Sequence, residues 1–132
     1  MGVSISTGGV VAFDRFWQWM KMHANCIVRA GSAEALLNDH EMFHWQLVED
    51  DERRPLVQLM MGKQLIGELM LDLREVLYVQ SNPDPEDRQG AQVVFEVMAG
   101  GGALAQETYP LYHFVLAHGL DDDVDTGLAE AQ

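Results

Sequence analysis

Between Trp45 and Met98 the apolar residues fall in short runs, and the breaks between runs are too short to hold a crossover helix. The first break, Glu49 to Pro55, is a stretch of charge ending in proline. The second is Gly62-Lys63, and the third, Ser81 to Asp87, sets Pro83 and Pro85 among turn formers. Strands joined this way run antiparallel, so this half of the chain is expected to be a β-meander of roughly four to five strands. Its last members are Glu75 to Gln80 and Gln92 to Met98, the latter with Val93, Phe95 and Val97 on one face. A helix from Leu56 to Leu77 is the rival reading, because Met and Leu are good helix formers. Pro55, Gly62 and Gly67 oppose a single long one.

Helical spacing appears on either side. Phe13, Phe16, Trp17, Met20, Ala24, Ile27 and Val28 recur every three or four residues and predict an N-terminal helix from Phe13 to Ala30, stopped by Gly31. Ser32 then caps a short second helix opening Ala33-Glu34-Ala35-Leu36-Leu37, whose end is open because Met42 to Val48 reads equally as the start of a strand. A C-terminal helix is expected from Tyr109, with Pro110 in its first turn, to Gly119. Its inner face would be Leu111, Phe114, Val115 and His118. The expected fold is thus a single α+β domain over residues 1–119, with the C-terminal helix packed on one sheet face and an acidic tail at 120–132. No internal repeat is visible.

Charge narrows the partners. The chain of 132 residues carries 8 Lys and Arg against 21 Asp and Glu, a formal charge of -13, with no basic cluster in sequence. Such a field disfavours nucleic acid and anionic membrane surfaces and favours a protein partner with a basic or apolar segment, or a metal ion. The apolar stretch from Leu56 to Val79 is broken by Lys63, Glu68, Asp72, Arg74 and Glu75, so no membrane span is expected. The lone Cys26 excludes an internal disulfide and makes a reducing, cytoplasmic setting the expectation. Met1 to Ser6 fits the N-myristoylation pattern, a short pattern that also arises by chance.

The sharpest motif is His40-Glu41-Met42-Phe43-His44, an H-E-x-x-H. On a helix the two histidines share a face and can bind one zinc ion, with Glu41 as general base toward metal-bound water. From Leu36 to Trp45 the stretch resembles the zincin metalloproteases. That resemblance implies a zinc-dependent hydrolase with His40 and His44 as ligands and Glu68 as the least implausible third. The rival reading has His40 and His44 capping or lining a helix end beside the core, with no metal and no cofactor. Asp121, Asp123 and Asp125 resemble the start of a calcium loop, but the sixth position is Thr126 and the twelfth Gln132, which favours a solvated acidic tail. His23 and Cys26, three apart, raise a thiolate nucleophile reading against that of a buried, inert thiol. G-x-S-x-G and phosphate-loop patterns are absent.

Trp17 and Trp19 lie about 200° apart on a helix, so one of them must be exposed or covered by something beyond a single core. With Met20 and Met22 they form the candidate recognition surface, against a rival reading in which methionine fills gaps in a small core. The preferred function is a small acidic interaction module, an adaptor, regulator or chaperone-like accessory factor, forming a homodimer through a strand edge or apolar stripe. In size, acidity and mixed character it looks like bacterial secretion chaperones, with no motif of theirs matched. The zinc hydrolase is the alternative.

Overall fold

The computed structural model describes residues 9–87, 90–101 and 107–120. In chain order these form β1 (Val10–Val11), the helix α1 (Phe13–Met22), a 3-10 turn (Ala24–Cys26), β2 (Ile27–Ser32), β3 (Leu36–Asn38), β4 (His44–Glu49), β5 (Pro55–Met61), β6 (Gln64–Met70), β7 (Val76–Pro83), β8 (Val93–Gly100) and β9 (Thr108–Leu116). One six-stranded sheet has the order β1-β7-β8-β9-β2-β3, and a three-stranded sheet has the order β4-β5-β6. All pairings are antiparallel. The protein is therefore mostly β, and the α+β fold with N- and C-terminal helices is overturned.

Each misplaced helix has a physical reason. The expected C-terminal helix is β9, whose alternating residues Tyr112, Phe114 and Leu116 are buried. Pro110 sits there without cost to a central ladder. β2 pairs only with the stretch from Tyr112 to Leu116, so at Pro110 the strand has β8 alone beside it, next to the register shift at Val97 and Met98. The N-terminal helix ends at Met22 and not Ala30, because His23 leaves helical geometry (φ -126°, ψ 32°) and the β-branched Ile27-Val28 pair enters β2. The short second helix is absent. Ser32 organises a turn instead, its hydroxyl accepting from the Glu34 N–H at 3.2 Å and its N–H donating to the Ala35 carbonyl at 2.9 Å. Gly31 makes that return to β3 feasible, since a Cβ there would lie 2.6 Å from the Ala35 oxygen.

One continuous core joins the helix and both sheets. Phe16, fully buried, meets Phe95 of β8 at 4.9 Å and Phe114 of β9 at 5.6 Å between ring centroids, which seats α1 on the six-stranded sheet. The other side of α1 is covered as well. Trp17 stacks on Phe13 at 6.0 Å, and its indole N–H donates to Glu49 at the end of β4 at 2.7 Å. Lys21 reaches the same Glu49 oxygen at 2.8 Å, and these two bonds, Lys21 first, hold its carboxyl below the usual range. Trp17 and Trp19 are thus both buried, each against a different neighbour. Among the described residues no helix is long and apolar enough to cross a membrane.

Candidate metal centre

The backbone brings two distant chain segments, residues 23–26 and the stretch following β9, to one corner of the six-stranded sheet. His23 terminates α1, with its N–H donating to the Met20 carbonyl at 2.9 Å. The 3-10 turn that follows ends at Cys26, whose N–H donates to the His23 carbonyl at 2.8 Å. β2 then runs antiparallel to β9, and the ladder extends one step past both strands where the Ala117 N–H donates to the Cys26 carbonyl at 2.9 Å. That step sets His118 beside Cys26.

The side chains converge accordingly. The Nε2 of His118 lies 3.2 Å from the Sγ of Cys26, and its Nδ1 lies 3.3 Å from the Gly119 carbonyl oxygen. A ring carrying its proton on Nδ1 donates to that carbonyl and turns a lone pair on Nε2 toward the sulfur. The ring of His23 stands 5.1 Å from that of His118, at 80°. Trp19, 2% exposed, is the buttress behind both, 4.8 Å from His23 and 5.7 Å from His118. Ligand atoms of His23, Cys26 and His118 all lie within 4.8 Å of one another, and the three residues are half-buried.

Such a set suits zinc. Zinc binds thiolate at about 2.3 Å and imidazole at about 2.0 to 2.1 Å, so tetrahedral ligand atoms sit roughly 3.3 to 3.8 Å apart. The Nε2 of His118 and the Sγ of Cys26, at 3.2 Å, already lie near that spacing, and the set as a whole lies within 4.8 Å. Among the described residues this is the one group of three His, Cys, Asp or Glu side chains placed to hold an ion.

The residues expected from sequence lie elsewhere. His40 and Glu41 are exposed in the turn between β3 and β4, and His44 is exposed on β4. The Nδ1 of His40 accepts from the Met42 N–H at 3.0 Å, which closes the turn. The motif thus lacks the helix on which its chemistry depends. Glu68, on β6, accepts from Gln58 at 2.7 Å, and Gln58 in turn accepts from Gln46 at 2.8 Å, a polar ladder across the outer face of the small sheet. Trp17, Trp19 and Met20 are buried in the core, and Met22 alone of the expected recognition residues is exposed, at 74%. The expected myristoylation pattern, calcium loop and acidic tail beyond Leu120 lie outside the described residues. His118 was missed because the one signal available, the spacing of His23 and Cys26, is local, whereas its partner is 92 positions away.

Comparison of the chain with protein families, curated proteins and solved structures finds no match.

Proposed function

We propose that this chain is a zinc-binding protein whose centre is His23, Cys26 and His118. The observation that carries the reading is the convergence of one thiol and two imidazoles from two distant chain segments, residues 23–26 and His118, onto one half-buried corner. Bound zinc would tie the end of α1, the 3-10 turn and the end of β9 together. Three protein ligands leave one tetrahedral position for water or for a donor from outside. The chain's charge of -13 favours cation capture generally, while the thiolate and imidazole ligands select a borderline-soft ion over calcium or magnesium.

Calorimetric titration of apo-protein with zinc tests this. One equivalent should bind, Cys26→Ser and His118→Gln should each weaken it by about 100-fold, and His40→Ala should leave it unchanged. Binding that survives Cys26→Ser and His118→Gln would sink the proposal.

A second reading, the interaction module, is favoured by one observation. β6 is an edge strand of the small sheet and exposes Leu65, Ile66 and Met70, with Met61 beside them. An apolar edge with open backbone groups is suited to pairing with a second copy. Sedimentation should then show a dimer that Ile66→Lys converts to monomer, and a wild-type monomer would dispose of this reading.

A further inference from the structure

The corner of His23, Cys26 and His118 contains the one cysteine of the 132 residues. Cys26 packs against the edge of the core and is only half-buried, so it is not the enclosed, inert thiol that its apolar neighbours Ile27 and Val28 suggest. His23 and His118 likewise keep part of their surface exposed, while Trp19 is buried against both rings. A small reagent in water can therefore reach the set.

One sulfur supplies all the soft, anionic character of this set, since the other two donors are neutral imidazoles. The sulfur is held in contact with His118, whose Nε2 is 3.2 Å away. No second cysteine stands in the chain to capture it in an internal disulfide. Chemistry at Cys26 thus acts directly on the metal.

Building on the zinc reading, we infer that Cys26 is a modification site, where a hydroperoxide oxidises the metal-bound thiolate and frees the ion. The sulfur attacks one peroxide oxygen, so an S–O bond forms as the O–O bond breaks. With hydrogen peroxide the second oxygen leaves as hydroxide, and the sulfur is oxidised by the electron pair that the peroxide gains. The product is a neutral sulfenic acid, a far poorer ligand than thiolate. His23 and His118 alone then supply fewer donors than a zinc site with an open position requires. External thiol reverses the change: one molecule condenses with the sulfenic acid to give a mixed disulfide and water, and a second displaces Cys26 as thiolate.

The test treats the zinc-loaded full chain with hydrogen peroxide, with dimedone present in a parallel sample and a chromogenic chelator reporting free zinc. About one equivalent of zinc per chain should be released, dimedone should label Cys26, and dithiothreitol should restore zinc binding in the unlabelled sample. Met22, 74% exposed and next to His23, is the competing target for the oxidant, so Met22→Leu should release zinc at the unchanged rate. A chain that takes up no zinc before peroxide is added would remove the zinc reading and this one together. Zinc taken up and then retained under peroxide, release with no dimedone adduct on Cys26, or release that Met22→Leu abolishes would each overturn the oxidation site and leave the zinc reading standing.

Discussion

The chain holds two groups of histidines, and they are opposites. His40 and His44 are neighbours in sequence, in a pattern with a well-known chemistry, yet the structure leaves them exposed on a turn and a strand. His23 and His118 are far apart in sequence, yet they meet with Cys26 against Trp19. A spacing motif carries chemistry only through the backbone that displays it. H-E-x-x-H needs a helix to bring its ends to one ion. At the other corner, the pairing of β2 with β9 does that work between segments with no local relation.

The largest effect should come from breaking the scaffold of that corner. Phe16 is fully buried between α1, β8 and β9, so Phe16→Ala should cost about 3–5 kcal/mol in chemical denaturation. Zinc binding should weaken with it, since the element carrying His23 loses its seat. Next comes the centre itself: an approximately 100-fold loss of zinc affinity in His118→Gln corresponds to about 2.7 kcal/mol. That loss should appear with little change in the stability of the metal-free protein.

The fifth histidine sharpens the contrast. His113 faces neither group; it sits half-buried on β9, where burial first and Arg29 second depress its pKa below the ordinary 6.5, with Glu96 opposing. The folded chain therefore takes up this proton later than the unfolded one. Stability should fall as pH drops through 6.5, and His113→Gln should flatten that slope in denaturation curves taken across the range. The smallest effect belongs to the exposed motif. His44→Ala together with Glu41→Gln should change unfolding free energy by less than about 0.5 kcal/mol, since neither side chain is buried. A change of several kcal/mol would give His44 or Glu41 a structural role that their exposure denies them.

What was legible in sequence follows from the same distinction between local and distant information. The hairpins β4–β5 and β5–β6 lie where the charged break and Gly62-Lys63 place them, because turn chemistry and period-two alternation are local. The start of α1 is legible in the spacing of Phe13, Phe16 and Met20. Its end is not, since Ala24, Ile27 and Val28 continue the helical spacing while belonging to a turn and a strand. β9 fails for a related reason. Tyr112, Phe114, Val115 and Leu116 are all buried, so the run is apolar on both faces and satisfies helical and strand periods alike. Of the candidate site, the proximity of His23 and Cys26 is legible from their spacing, though it reads there as a nucleophile pair or an inert thiol and not as metal ligands, and the third member is not legible. Trp17 and Trp19 show the converse: their separation of about 200° pointed to one being exposed or covered by something beyond a single core, yet both lie in the one continuous core, which reaches round the helix as far as the end of β4.

The most direct test of the zinc reading is the absorption spectrum of the cobalt-substituted protein. A thiolate-to-cobalt charge-transfer band, abolished by Cys26→Ser and His118→Gln and unaltered in the His40→Ala, His44→Ala double variant, is the predicted result. No thiolate band, or a spectrum that depends on His40 and His44, would place the metal away from the corner of His23, Cys26 and His118 and contradict it.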